Sequence, residues 1–107
     1  MAKKINTIVS GTELKIKIHI DPFENLHMKD YDFECKFYVF PKNAITVTKQ
    51  DMVSIDDDSY LALVDTTTLG KGALHITVTA YIPDSHFEDK TRREIKCVNP
   101  NIEIVNC

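Results

Sequence analysis

The sequence contains few of the residues that mark several common protein classes. Its 107 residues include three cysteines, three glycines, four prolines and no tryptophan. An odd number of widely spaced cysteines predicts neither a disulfide framework nor paired zinc-ligand motifs, so we expect reduced thiols. We place Cys35 and Cys97 in the core and Cys107 on the surface. Glycine occurs only at positions 11, 70 and 72, and the chain contains no phosphate-binding loop or dinucleotide-binding fingerprint.

The chain also lacks a strong charge of either sign and a long apolar run. Its 16 acidic and 13 basic residues give a formal charge of −3, which predicts no general attraction to nucleic acid. No apolar run reaches the length of a membrane span, and no signal-peptide core follows the N-terminal lysines. We therefore expect a protein made in a cytoplasm that contacts neither nucleic acid nor a membrane.

Regular alternation of apolar and polar residues is the strongest positive signal, and it is clearest in residues 60–82. An apolar run leads into a polar connector over residues 65–72, which contains two glycines and predicts a turn across one edge of a β structure. After the connector, Leu74, Ile76 and Val78 alternate with polar residues, the period-two pattern of a strand with one buried face. This segment is the best candidate for the central strand.

The same alternation recurs in shorter segments on both sides. Further strands are predicted over residues 4–9, 13–20, 32–40, 44–49, 51–55, 92–98 and 102–105. With about seven to nine short strands and no amphipathic helix, residues 1–107 predict a single all-β domain, an antiparallel sandwich with a small barrel as the alternative. The expected core consists of Leu14, Ile16, Ile18, Phe33, Cys35, Phe37, Leu74, Ile76 and Val78. In residues 92–98, Ile95 and Cys97 alternate with polar residues, which predicts that both side chains face the core.

No constellation of chemically active residues emerges from the sequence. His19 and His75 lie on polar strand faces and approach each other only if their strands are neighbours, while His27 and His86 lie in loops. Residues 56–58 are consecutive aspartates without the glycine that an EF-hand loop needs, so a solvated turn explains them better than a calcium site. The serines lack a nucleophile-elbow pattern. We therefore predict no catalytic residue, no metal and no cofactor.

Two predicted loops, residues 23–31 and 83–91, carry the candidate contact residues. They are four apolar residues in otherwise polar loops and the histidine beside one of them: Phe23, Leu26, Met28, Phe87 and His86. An apolar residue that belongs to no alternating strand pattern either contacts a partner protein or packs at the margin of the core, as satellite core. The sequence leaves both alternatives open.

Three tyrosines are further candidates for outward-facing side chains: Tyr38, Tyr60 and Tyr81. An exposed tyrosine on a β-sheet face suits contact with a protein or a glycan, because its ring is apolar and its hydroxyl is polar.

The segment YLALVDTTTLGKGALHI, residues 60–76, resembles the small immunoglobulin-like domains of tailed-phage virion proteins. In those domains a strand leads into an Asp/Thr-rich crossing, a Leu-Gly-x-Gly turn and a long alternating strand. Residues 11–16 and the aromatic strand at 33–40 are similar in placement, so the resemblance covers roughly residues 11–105. Unlike the baseplate and fibre members, this sequence has no downstream domain, which favours a stand-alone protein.

The resemblance implies an immunoglobulin-like β-sandwich and a non-enzymatic structural role in a virion. The expected protein is a capsid auxiliary (decoration) protein or a fibre-anchoring connector, made in the bacterial host cytoplasm. It would need no cofactor and would dock in multiple copies on a major capsid or fibre protein of a symmetric assembly. The competing hypothesis is a soluble, adhesin-like β-sandwich module that binds a glycan or another protein.

Overall fold

The computed structural model describes residues 6–22, 24–39 and 44–106, which form two packed β-sheets. The nine strands are β1 (Asn6–Val9), β2 (Glu13–His19), β3 (Asp32–Val39), β4 (Ala44–Thr48), β5 (Val53–Asp56), β6 (Ser59–Asp65), β7 (Gly72–Pro83), β8 (Thr91–Val98) and β9 (Ile102–Val105). The remaining regular structure of the described residues is three single turns of 3-10 helix: Met28–Asp30, Lys49–Asp51 and Thr66–Thr68. The predicted all-β sandwich is confirmed.

The two sheets differ in size and in strand direction. The larger, six-stranded sheet has the order β1-β9-β7-β3-β4, with β8 also paired to β7, and the smaller sheet has the order β2-β6-β5. All pairs are antiparallel except β1 with β9, which is parallel. After β1 the chain crosses to the smaller sheet, at a turn in which Gly11 has a φ of 98°. The antiparallel prediction therefore holds for every pair but one.

Strand β7 is the central strand, as its long alternation predicted. Along one edge it pairs with β3, and along the other it pairs first with β9 and then with β8. Its start is tightly packed, since a Cβ added at Gly72 would lie 2.7 Å from Cγ1 of Val39. Gly72 also has a φ of 135°, so both the close approach and the backbone conformation require glycine here.

The core lies between the two sheets and matches the predicted inward phase. Of the nine residues expected there, seven are buried: Ile18, Phe33, Cys35, Phe37, Leu74, Ile76 and Val78. The other two, Leu14 and Ile16, are partly buried and pack against the same cluster. Both belong to β2, at the edge of the smaller sheet, where no described strand continues the layer.

The polar connector between β6 and β7 forms a turn, as predicted, and carries the chain from the smaller sheet to the larger one. Asp65 accepts a hydrogen bond from the amide of Thr67, and the Thr67 hydroxyl and amide together lower the pKa of Asp65. The hydroxyl of Thr66 donates to the carbonyl of Thr12 at 2.8 Å and accepts from the amide of Gly11 at 3.1 Å. The connector is thereby joined to the turn between β1 and β2.

The predicted phase of the β8 strand is wrong. Its register with β7 pairs Val98 with Ile76 and Lys96 with Val78, so Val98 and Lys96 share the inward face with those buried residues. The residues between them, Ile95 and Cys97, therefore face outward; Ile95 is 59% exposed. An edge strand that points charges inward breaks the rule that apolar residues mark the buried face.

The same register separates the two described cysteines. Cys35 is fully buried, and burial raises the pKa of its thiol to about 12. Cys97 is exposed on the opposite face of the larger sheet, so its placement in the core is a further error of the predicted phase. Both are free thiols, as expected, and Cys107 lies outside the described residues.

Candidate docking surfaces

The predicted contact residues of the first loop do not share one environment. Met28 is fully buried in the core, and Leu26 is partly buried and packs against it. Both therefore match the satellite-core alternative rather than the interface alternative. The burial of Met28 follows from the single 3-10 turn that it opens, which lies against β3 and turns its side chain inward. Phe23 lies outside the described residues.

The second loop, residues 84–90, presents its predicted contact residues to solvent. Phe87 is 41% exposed, and His86 is exposed as well. Asp84 holds the loop in shape by accepting the amide hydrogen of His86 at 3.0 Å, which is the main cause of its lowered pKa. The loop closes where the amide of Asp84 donates to the carbonyl of Lys90.

Arg92 anchors this loop to the body of the protein. Its Nη1 donates to Asp84 at 2.9 Å, its Nη2 lies 3.7 Å from Glu24, and its Nε lies 3.3 Å from Glu94. Since the Arg92 side chain is largely buried, these carboxylates compensate its desolvated charge. Phe87 is thus displayed on a fixed loop, and it remains a candidate contact residue.

The histidines do not form a common site. His19 lies in the smaller sheet, between Ser59 and Asp21 at 2.9 Å each, whereas His75 lies in the larger sheet and stacks on Tyr38. Because β2 and β7 belong to different sheets, these two imidazoles are not cross-strand neighbours. His27 contacts the Asp58 carboxylate through Nδ1 at 2.9 Å.

The acidic turn of residues 56–58 has partners within the protein. Asp56 accepts the amide hydrogen of Asp58, which is the largest cause of its lowered pKa, and Asp57 lies 3.3 Å from the ammonium of Lys29. The described residues contain no group of three or more His, Cys, Asp or Glu side chains arranged to hold a metal ion. The turn instead joins the smaller sheet to residues 27–29, where the amide of Lys29 donates to the carbonyl of Asp57.

The contact between His27 and Asp58 predicts a pH dependence. The pKa of His27 is raised above 6.5, mainly by the hydrogen bond with Asp58. A pKa raised by folding means that protonated His27 stabilises the fold fully below the unfolded-state pKa, and that this contribution is lost as the pH rises through the folded-state pKa. We expect an NMR titration of the imidazole to give a raised pKa that falls toward about 6.5 in Asp58→Asn.

Asp57→Asn is the matched control, because Asp57 does not contact the His27 ring. It should lower the His27 pKa much less than Asp58→Asn does. Equal titration curves for His27 in wild type and Asp58→Asn would contradict the assigned hydrogen bond.

The outer face of the smaller sheet carries an apolar cluster that the sequence analysis missed. We call Val53, Leu61 and Leu63 the small-sheet cluster. Val53 and Leu63 are 50% and 52% exposed, and Leu61 is half-buried between Val53 and Lys17 in the pairing register. The continuous apolar run of residues 60–64 is the signal that indicates it, because a strand that is apolar at every position has two apolar faces.

The outer face of the larger sheet is more polar. The rings of Tyr38 and His75 are stacked with centroids 5.3 Å apart, and the ammonium of Lys36 lies 5.6 Å from the Tyr38 centroid. Tyr81 donates its hydroxyl hydrogen to Glu34, which raises the Tyr81 pKa. Tyr38 and Tyr81 thus lie on an outer sheet face, as predicted.

Tyr60 is the exception among the tyrosines considered for outward contact. It is only 7% exposed, and its ring packs edge-on against Phe33 at 5.0 Å. The reason is the phase of β6, in which Tyr60, Ala62 and Val64 form the inward face.

Comparisons with known proteins give no relative from which a function can be transferred. No family model matches the chain, and neither a curated protein nor a solved structure matches it. Within the described residues, no helix is long and apolar enough to cross a membrane.

Proposed function

We propose that this protein is a non-enzymatic structural component that docks on a larger assembly through the small-sheet cluster. The observation that carries the proposal is the clustering of Val53, Leu61 and Leu63 on one sheet face. Scattered surface leucines are ordinary, but neighbouring aliphatic side chains on a flat, ordered face are typical of a protein contact. Burying them against a partner would stabilise a complex without any catalytic group.

The immediate surroundings of the cluster define the chemistry of the partner. Leu63 is paired with Lys15 and Leu61 with Lys17, so two exposed cations lie along one side of the aliphatic side chains. An interface of this kind has an apolar centre and a charged rim, and rim charges select partners of opposite sign. We therefore expect an apolar patch bordered by carboxylates on the docking partner.

The assembly that we propose is a tailed-phage particle, in which the protein is a capsid auxiliary protein or a fibre-anchoring connector. The resemblance of residues 60–76 to immunoglobulin-like virion domains supports this. The strand order is consistent with such a domain, since β9-β7-β3-β4 has the order G-F-C-C′ and β2-β6-β5 the order B-E-D. The partners would be copies of a major capsid or fibre protein.

The test uses particles produced by the genome that encodes this chain. We expect quantitative mass spectrometry of purified particles to find the protein in a fixed ratio to a structural protein. Val53→Glu places a carboxylate in the apolar cluster and should abolish rebinding of the purified protein to particles that lack it. Because Val53 is half-exposed at a sheet edge, the free energy of unfolding should change by only about 0.5 kcal/mol.

Ile95→Glu is the matched control, since Ile95 is similarly exposed but lies on the other sheet. It should leave rebinding intact. Absence of the protein from particles would exclude the virion role, and equal loss of rebinding in both variants would exclude the small-sheet cluster as the docking site.

A recognition module is the second candidate function, and the stacked Tyr38 and His75 rings favour it. Aromatic rings on an open sheet face form a platform for the apolar faces of sugars, with Thr77 and Lys36 nearby on the same face as polar partners. Binding on a glycan array that is lost in Tyr38→Ala, together with absence from particles, would favour this function over the virion role.

A further inference from the structure

A groove opens between the edges of the two sheets, on the other side of β2 from the small-sheet cluster. It has a volume of about 840 Å³. Most of its lining comes from β2, β7 and β8 and includes Ile16, Ile18, Ile76, Val78, Lys96 and Val98, and Asp21 adds a carboxylate just after β2. The inward faces of two sheets meet here without a strand between β2 and β8 among the described residues.

The apolar part of the groove is an incompletely covered region of the core. Ile76 is buried in its floor, but Ile16 is only partly buried and Val98 is 40% exposed. All three belong to inward faces of their strands, as the pairing of Val98 with Ile76 and the alternation of β2 show. Aliphatic side chains that face inward and remain accessible are stabilised when another apolar side chain covers them.

The two edges of the groove differ in their capacity to pair with another strand. On β8 the residues Glu94 and Lys96 point inward, and inward charges discourage pairing at a sheet edge. On β2 the inward residues are Ile16 and Ile18, and no bulge or proline interrupts Glu13–His19. The second edge of β2 pairs with no described strand, so its amide and carbonyl groups are the ones open to a new ladder.

The outward side chains of β2 indicate which charge a neighbouring partner strand would carry. Lys15 and Lys17 are exposed, and within the described part of the chain neither forms an ion pair, although Lys17 lies near enough to Asp56 to help lower the pKa of that carboxyl. A residue directly opposite a lysine on a neighbouring strand is stabilising when it is acidic and destabilising when it is basic. A strand added at this edge would therefore carry aliphatic residues toward Ile16 and Ile18 and acidic residues beside the lysines.

We infer that this groove binds an extended segment of a partner protein, which adds to the free edge of β2 as a fourth strand and alternates aliphatic with acidic residues. Main-chain hydrogen bonds to β2 supply affinity, and the groove and the lysines select the side chains. Strand β2 has seven residues, so a segment of about that length, roughly 23 Å of extended strand, would pair along its free edge.

A second copy of this chain does not supply such a segment. Its only aliphatic-acidic-aliphatic triplet is Ile102-Glu103-Ile104. That triplet lies in β9, where it already pairs with β1 and where Ile104 is buried in the core. The occupant is therefore a segment of a different protein.

The test measures fluorescence anisotropy of two labelled peptides, SVEVEVS and its basic counterpart SVKVKVS, with the full-length protein. The acidic peptide should bind about tenfold more tightly than the basic one, because two cross-strand pairs change from attraction to repulsion. Backbone amide shifts in a two-dimensional NMR spectrum should change along β2 and in the groove-facing parts of β7 and β8.

The charge-exchange variant Lys15→Glu/Lys17→Glu should reverse the preference of the protein for the two peptides. Lys15→Gln/Lys17→Gln removes the charges without reversing them. It should abolish the preference between the peptides, while both peptides still bind to the edge of β2. Equal affinity of the wild type for both peptides, no binding of SVEVEVS at about 1 mM, or an unchanged preference in the charge-exchanged protein would overturn the inference.

Lys15 and Lys17 border both the groove and the small-sheet cluster, so a variant of Val53 is used to separate the two sites. Val53 lies on β5, two strands away from the free edge of β2. Val53→Glu should therefore retain the peptide preference even though it loses particle binding. Conversely, failure of the peptides to bind leaves the docking role of the small-sheet cluster untouched.

Discussion

Replacing Phe33 with alanine is expected to lower the free energy of unfolding by about 3–5 kcal/mol, the largest effect of any change considered for this protein. Phe33 is 1% exposed and lies between two aromatic rings, with centroids 6.2 Å from Tyr31 and 5.0 Å from Tyr60. Alanine removes the buried ring and leaves a cavity that β-strand backbones on both sides cannot close. In denaturant titrations, the unfolding midpoint should shift strongly to lower concentration.

The consequence is severe because small domains are only marginally stable. With a total stability of about 5–15 kcal/mol, a loss of this size removes a large share of it and lowers the melting temperature by roughly 15–30 °C. Ile95→Ala serves as the control, since Ile95 is 59% exposed and should change stability by only about 0.5 kcal/mol. Similar destabilisation by both variants would contradict the assigned position of Phe33.

Replacing Lys49 with methionine is expected to destabilise the fold by about 2–4 kcal/mol, although lysine is ordinarily a surface residue. The Lys49 ammonium donates to three carbonyl oxygens, those of Met28 and Lys29 at 3.0 Å and of Tyr31 at 2.7 Å. It also lies 5.6 Å from the centroid of Phe33 and 5.8 Å from that of Tyr60. Methionine has similar length, but it leaves these carbonyls without their charged donor.

Lys29→Met provides a matched control for the loss of a lysine charge. Lys29 pairs with Asp57 at 3.3 Å, but both side chains are more than half exposed, so the effect should stay below about 1 kcal/mol. Thermal unfolding monitored by circular dichroism distinguishes the two variants. If Lys49→Met melts at the same temperature as Lys29→Met, then the three carbonyl contacts contribute no net stability.

Lys49 also shows why an important contact can be absent from sequence analysis. It follows β4 directly and its sequence neighbours are polar, which is the usual setting of a solvated lysine. Its partners are main-chain carbonyls around the 3-10 turn at Met28–Asp30, about twenty residues earlier. Carbonyl groups occur at every residue, so no side-chain pattern marks the place where several of them converge.

The candidate surfaces were predictable to different degrees. Phe87 is exposed in its polar loop, whereas the sequence left open both an interface position and a position at the margin of the core. The burial of Met28 is likewise not predictable, because a loop residue becomes part of the core only when its turn is folded against a strand. The small-sheet cluster was missed because residues 60–64 are apolar throughout, so alternation does not say which side is covered.

The sequence by itself determined the all-β class, the approximate bounds of the strands, the turns at glycine and proline, and the inward phase of β2, β3 and β7. These features depend on local chemistry, since side chains alternate across a strand and turn residues determine the backbone conformation at their own positions. Only the tertiary structure decided that β8 points Lys96 inward, that Tyr60 is buried, and that a groove remains open beside β2. These three features depend on which strands, distant in sequence, become neighbours and on which sheet face each strand covers. The local alternation of apolar and polar residues determines neither of these.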